Sequence, residues 1–439
     1  MKPPKSRKAE LGSNATGGEK PHAETAESAE FKMTELGAIP NDWEVKRLGE
    51  IGEPLMCKRI LKSQTFDVGD VPFYKIGTFG GIADAYISRS LYESFRRKYP
   101  YPKTGDVLLS AAGTIGRTVV YDGKDAYFQD SNIVWVDNDE KKVLNDYLYW
   151  WYKVILWNTE DGGIVTRLYN GNLKASLIAV PPLAEQRRIA GALSDVDELI
   201  SALGKLIEKK RSIKTGAMQE LLTGKTRLPG FGANSPRSNH SHAEAQSGRG
   251  IEFKQTELGP IPMDWEVKRF DDTFEHVPSK PFQLQSSEYR EGGRFQVVDQ
   301  GQMEIVGYTD DDKKLFHVPE GGVIIFGDHT RIVKFRESDF VVGADGTQLL
   351  VGKNDCTRFL FYVLQQLDIP NLGYSRHFKY VKEGRYAVPP TLAEQKAIAA
   401  VLSDIDAEIA ALEADRAKYE RIKSGMMQEL LTGKTRLKP

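Results

Sequence analysis

Cysteine is almost missing from this 439-residue chain: Cys57 and Cys356 are too few for a disulfide framework or a thiolate zinc site. Histidine is nearly as scarce, with seven in all and none between His22 and His240, so the middle of the first half has no imidazole base or ligand. No His-Glu-x-x-His or paired-cysteine spacing occurs. Long apolar runs are absent too: Tyr147 to Trp157 comes nearest to the ~18 residues of a spanning helix, and Lys153 interrupts it. Residues 1–30 are polar, with five Lys and Arg against five Glu, and have no apolar core, which argues against a secretory signal. Charge of one sign is not in excess, since 60 Lys plus Arg face 61 Asp plus Glu for a net −1. Composition therefore lends nothing to nucleic-acid binding, and any such reading must come from elsewhere. The expectation is a soluble, cytoplasmic protein with no membrane contact, no metal and no cofactor of its own. With 40% hydrophobic residues it can build ordinary cores, and its length suits about three domains.

What the chain does contain is itself, twice. Thr34 to Arg47 reads TELGAIPNDWEVKR and Thr256 to Arg269 reads TELGPIPMDWEVKR, twelve of 14 positions matching 222 residues apart. Gly216 to Leu228, GAMQELLTGKTRL, returns at Gly425 to Leu437 as GMMQELLTGKTRL, twelve of 13 matching 209 residues apart. Ala184-Glu185-Gln186 recurs as Ala393-Glu394-Gln395. Each half thus has a constant arm, a divergent middle and a constant closing segment.

The closing segments start at Pro181-Pro182 and Pro389-Pro390, stiff extended stops before a helix. Ile189, Leu193, Val196, Ile200, Leu203 and Ile207 then step by alternating 4 and 3, as do Ile398, Leu402, Ile405, Ile409 and Leu412. That average of 3.5 is a coiled-coil seam. It predicts two helices, Ala184 to Leu222 and its copy, each roughly 58 Å long at ~1.5 Å per residue. Two like stripes in one chain are natural partners, and an antiparallel pairing would set the variable domains at opposite ends. The alternative is two amphipathic helices, each packed on its own domain. Residues 230–250, rich in Gly, Ser, Asn and His and including His240 and His242, read as a linker.

Both middles read as small α+β domains. In the first, β-rich runs at Val71–Ile76, Asp106–Ser110, Thr118–Tyr121 and Asn132–Val136 precede a buried helix at Leu144–Trp157. In the second, runs at Phe295–Val298, Val323–Phe326, Ile332–Phe335 and Gln348–Val351 precede a helix at Arg358–Leu367. Arg89, Arg96, Arg97, Lys98 and Lys103 interleave with Tyr86, Tyr92, Phe95, Tyr99 and Tyr101. The pattern suits a nucleic-acid backbone beside aromatic packing, or a solvated strand and helix. Gly327 to Arg331, followed by Lys334 and Arg336, offers polar groups on a turn that could meet base edges or satisfy its own backbone. Thr166-Arg167-Leu168-Tyr169 aligns with Ser375-Arg376-His377-Phe378, either a structural turn or an arginine aimed at phosphate.

Catalytic signatures are wanting. TGKT at Thr223 and Thr432 lacks the earlier glycine of a phosphate loop, Gln219 and Gln428 standing there, and it ends a helix where such a loop must open one. Gly113-Thr114-Ile115-Gly116 reads as a turn between strands. Asp122-Gly123-Lys124 is a nuclease-like scrap with no counterpart, and neither Pro-Pro pair follows an Asn as an adenine methyltransferase would require.

Arm, variable domain, PPLAEQ or PPTLAEQ helix and MQELLTGKTRL, each present twice, together resemble the DNA specificity subunits of type I restriction–modification systems, over Phe31 to the last residue. The resemblance implies an α+β chain of two globular target recognition domains joined by two long constant helices in an antiparallel coiled coil, with pseudo-two-fold duplication. Its boundaries would be a tail at 1–30, a first recognition domain at 31–182, a first spacer helix at 183–228, a linker at 229–252, a second recognition domain at 253–390 and a second spacer helix at 391–439. Each domain would read one half of a split target on double-stranded DNA. The coiled coil would set the spacing and dock methyltransferase subunits, two of them, with motor and nuclease subunits joining later. S-adenosylmethionine, ATP and magnesium would belong to those partners, leaving this chain non-catalytic.

Domains that read different half-sites must differ where they touch bases and can agree where they hold scaffold, phosphate or partner. Trp43, Trp265 and the seam residues are therefore the docking and coiled-coil candidates, and Arg167 and Arg376 would position DNA. Ser110, Thr114, Arg117, His329, Thr330 and Arg331 are the base-reading candidates. The order is also circular, since the second closing helix lacks a following arm and the first arm lacks a preceding helix; the two ends should meet. A near-neutral chain should bind DNA weakly alone and tightly with its partners. The competing readings are a stand-alone regulator with a coiled-coil spacer, a protein-binding scaffold and a self-contained restriction enzyme.

Overall fold

Gly37 and Gly259, at φ 90° and 89°, close tight turns that pair Phe31–Thr34 with Gly37–Pro40 and Phe253–Thr256 with Gly259–Pro262. These twin hairpins open the two copies in the computed structural model, which describes residues 30–157, 167–231, 251–343, 346–371, 373 and 375–437, with the backbone of 24–25 and 246–247. The proposed linker histidines, His240 and His242, and Thr166 lie outside the described residues, as does most of the 1–30 tail. After each hairpin the arm continues as an edge strand. Glu44–Arg47 pairs antiparallel with Leu177–Val180, and Glu266–Arg269 with Arg385–Val388.

The chain forms two compact units, one of residues up to Ala202 together with Arg416–Pro439, the other of Leu203–Asp415. In the first, a four-stranded sheet runs in the order Gly52–Leu55, Ile133–Asn138, Val107–Ser110, Thr118–Val120. A three-stranded sheet of Tyr127–Phe128, Val71–Tyr74 and Tyr86–Ile87 accompanies it. In the second unit, Phe274–Val277, Thr347–Gly352, Val323–Gly327 and Val333–Arg336 repeat the same four-stranded order. Another four-stranded sheet replaces the three-stranded one, with Phe295–Val298 beside Phe340–Val342 at its centre. The helix read at Leu144–Trp157 is shorter, Asn145–Trp151, and that at Arg358–Leu367 is Thr357–Gln365. The charged run holds one further helix, Arg89–Lys98, started by Ser88, whose hydroxyl accepts from Leu91 N–H.

Two helices of 39 residues, Leu183–Leu221 and Leu392–Leu430, begin one residue before the seam pattern suggested. They pack antiparallel as a coiled coil, and the pairing is visible inside each unit. In the first, Lys423 reaches Asp197 at 2.6 Å; in the second, Lys214 reaches Asp406 at 2.7 Å. These are the same two positions of the repeat with the copies exchanged, as a pseudo-two-fold demands. Ile189, Leu193, Ile200, Ile207, Ile398, Leu402 and Ile409 are buried, and Val196, Leu203, Ile405 and Leu412 are half-buried. Gly224 and Gly433, at φ 68° and 72°, stop the helices, and Thr223 and Thr432 donate back to the carbonyls of Gln219 and Gln428. TGKT is thus a helix terminus in both copies.

Candidate nucleic-acid interface

Glutamate and glutamine of the repeated AEQ tripeptide organise each unit. Glu185 is 3% exposed and accepts from Arg436 Nε and Nη2, both at 2.7 Å, while the same guanidinium holds Asp42 at 2.9 and 2.8 Å. Trp43 Nε1 donates to Glu185 at 3.1 Å, and the Arg436 guanidinium stacks 5.6 Å from the Trp43 ring. In the second unit Arg227 holds Glu394 at 2.5 and 2.7 Å and Asp264 at 2.9 and 3.2 Å, over Trp265. Burial pushes the Glu394 carboxyl up, whereas the Arg227 hydrogen bond holds Asp264 below the usual carboxylate range. Each arm is therefore closed by the closing segment of the other copy, and the ends of the circular order do meet. Gln186 and Gln395 tie the helix starts down: Gln186 accepts from Leu144 N–H at 2.8 Å, and Gln395 from Cys356 N–H at 2.7 Å.

This clamp corrects one expectation. Trp43 and Trp265 are 0% exposed, so they hold the arm to the helices from inside and offer no face to a partner subunit. The sequence signal was misread because a tryptophan repeated in both copies fits a repeated core contact as well as a repeated docking surface.

The divergent turns occupy equivalent places. Residues 111–117 link Val107–Ser110 to Thr118–Val120, and residues 328–332 link Val323–Gly327 to Val333–Arg336. Both touch the stretch before the closing helix. Ala112 bridges Arg167, Leu168 N–H donates to the Ala111 carbonyl at 2.9 Å, and Arg167 donates to Asn132 at 3.0 Å. In the second unit Asp328 accepts from Phe378 N–H at 2.8 Å, its carbonyl accepts from His377 N–H at 2.8 Å, and His329 Nδ1 meets the Ser375 carbonyl at 3.2 Å. The structure thus brings the base-reading candidates and the shared arginines together in each unit. Thr114, Arg117 and Thr330 are exposed, and Arg376 is exposed with no side-chain partner among the described residues. Arg331 sits at φ 63°, a left-handed conformation that bulky residues rarely adopt, and donates to the Ile369 carbonyl at 3.1 Å.

Other candidates are spent on the fold. Ser110 is 1% exposed; its hydroxyl donates to the Thr114 carbonyl at 2.6 Å and accepts from Arg117 N–H at 2.9 Å, so it shapes the turn. Lys334 is 7% exposed and donates to the carbonyls of Asp299 and Met303 at 3.0 and 2.5 Å, with burial lowering its pKa. Arg336 is held by Gln296 and Glu304. Arg89 pairs with Asp125, Arg96 stacks on Tyr101 at 5.2 Å and lies 3.8 Å from Asp125, and Lys103 pairs with Asp137 at 2.9 Å. Most aromatics of this stretch turn inward, Tyr99 at 37% exposure being the exception. Tyr92 is 1% exposed, and its hydroxyl, Tyr101 and Tyr121 form a chain at 3.2 and 2.9 Å. Arg97 and Lys98 alone among these five cations are exposed without an ion pair among the described residues. Among the described residues no cluster of His, Cys, Asp or Glu is arranged to hold a metal, and no helix is long and apolar enough to cross a membrane.

Two copies of one α+β frame, closed by exchanged ends and differing in their turns, define a duplicated recognition protein. The type I restriction modification DNA specificity domain matches residues 40–211 and 262–423, and the chain belongs to that family. It is 56% identical over 174 residues to the putative type I restriction enzyme specificity subunit S.HindORF215P of Haemophilus influenzae, covering 40% of this chain and 45% of that protein. The chain thus spans less than half the length of that relative. Over 448 residues it is 28% identical to the putative type I restriction enzyme MjaX specificity subunit of Methanocaldococcus jannaschii, covering 93% of this chain and 97% of that one. The crystal structure of the type I restriction-modification system S subunit from M. genitalium superposes with a TM-score of 0.57 at 14% identity, over 88% of this chain and 96% of that chain, a likeness of fold.

Proposed function

We propose that this chain is the non-catalytic specificity subunit of a type I restriction–modification complex, each unit reading one half of a bipartite DNA target. One observation carries the reading: the clamp repeats residue for residue in both units, whereas the turns at 111–117 and 328–332, set on equivalent strands, do not. A frame held constant under divergent turns is what two different half-sites require. The coiled coil would hold the spacing and dock two methyltransferase subunits in the cytoplasm, with restriction subunits added. S-adenosylmethionine, ATP and magnesium would be bound by those partners.

The test is co-expression with a cognate adenine methyltransferase subunit and long-read mapping of methylated adenines. Two short half-sites around an unspecified gap are the expected result. Co-purification without any methylation would sink the specificity role and leave a scaffold.

A further inference from the structure

The cations that the sequence pattern favoured are largely neutralised by Asp125 and Asp137, which moves attention to those that are not. Lys58 and Arg59 are exposed and carry no ion pair among the described residues. They sit at the tip of a loop pinned from both sides. Cys57 and Ile60 point into the core, 2% and 8% exposed, and Tyr127 Oη donates to the Lys58 carbonyl at 3.0 Å. Lys58 Nζ lies 5.2 Å over the ring of Tyr99, the residue that follows Lys98 at the end of the Arg89–Lys98 helix. Between the two segments lies a groove of about 310 Å³, whose lining includes Cys57, Lys58, Arg59, Tyr99 and Asp130. Arg97 and Lys98 also form no ion pair among the described residues, although they stand in the last helical turn, where cations complement the carbonyl end. Lys58 and Arg59 have no helix end to serve.

We propose that this groove is a DNA-backbone contact of the first unit, with Lys58 and Arg59 meeting phosphate oxygens and Arg97 and Lys98 extending the positive strip. Charge complementarity decides the ligand class. Two cations without an ion pair among the described residues line the groove, and Arg97 and Lys98 immediately precede its Tyr99. On a chain of net −1 such a local positive surface suits a polyanion, and a tied loop positions without reading sequence. Asp130 is the one acid among the residues lining the groove, and it makes no ion pair with Lys58 or Arg59. The inference rests on the reading of the chain as a DNA specificity subunit.

The experiment uses the full chain purified with its methyltransferase subunits. Affinity for target DNA is measured against salt for the wild type, for Lys58→Gln/Arg59→Gln, and for that pair with Arg97→Gln/Lys98→Gln, with melting curves to confirm folding. Each lost phosphate contact should lower the slope of log affinity against log salt by about 0.9. Weakening should be equal on specific and unrelated DNA, with the methylated motif unchanged. An unchanged slope in folded variants overturns the proposal while leaving the specificity function standing. A changed first half-site at constant slope also overturns it, because the residues would then read bases. A wild-type complex that binds no DNA at all removes the parent reading and this inference with it.

Discussion

Arg436 grips Glu185, 251 positions earlier in the chain, with two hydrogen bonds of 2.7 Å, and the pair is buried to 5% and 3% side-chain exposure. The bidentate geometry needs a planar guanidinium, and Asp42 takes its remaining edge. Removing the arginine would strand a desolvated carboxylate. Arg436→Ala should therefore cost about 3–5 kcal/mol in the first unit, and Arg436→Lys should recover little of it. Urea melts followed by hydrogen exchange within 107–110 and 323–327 would show whether the loss is confined to the first unit. A loss below ~1 kcal/mol would mean that the clamp is ornamental.

Gly433 and Gly224 test the same joint without charge. A Cβ on Gly433 would lie 2.5 Å from the Pro40 ring, and one on Gly224 would lie 2.4 Å from that of Pro262, each at positive φ. Gly433→Ala should destabilise the first unit by about 1–3 kcal/mol and Gly224→Ala the second. Equal protection of both units in either variant would contradict this.

Much of this was legible in the sequence, and for one reason. Duplication exposes the frame, because residues shared by both copies, such as Glu185 with Glu394 and Arg227 with Arg436, mark the contacts that both units need. The seam periodicity placed two 39-residue helices to within one residue. What stayed hidden was side-chain direction. Ser110 and Lys334 look like polar ligands in a string of letters, but each turns inward to serve a turn or free carbonyls. Arg89 was a candidate until Asp125, 36 positions away, proved to stand beside it. Nothing local marks Lys58 and Arg59 in the sequence; only the folded loop shows them exposed and without an ion pair among the described residues.

Asp328 and Arg376 separate support from contact in the second unit. Asp328 is 4% exposed and satisfies Phe378 N–H, so Asp328→Ala should cost about 1–3 kcal/mol by leaving that donor unpaired. Arg376 is exposed, and Arg376→Ala should leave stability within ~0.5 kcal/mol of wild type. In the complex it should weaken binding to all DNA sequences alike, lowering the salt slope by about 1. A shift of the second half-site would instead make Arg376 a base reader.

Cys57 provides a check on the loop that carries Lys58 and Arg59. Its thiol is 2% exposed, and burial pushes its pKa up to about 12. At pH 8 only about one molecule in 10⁴ would carry the thiolate, the form that attacks alkylating reagents. Iodoacetamide at that pH should leave Cys57 untouched in the native chain and modify it once urea unfolds the first unit, as read by peptide mass spectrometry. Below the folded value the native thiolate fraction rises about tenfold per pH unit, so native labelling should quicken by the same factor as the pH is raised from 8. Rapid native labelling at pH 8 would show that the loop opens, and an opening loop could not hold its two cations at fixed phosphates.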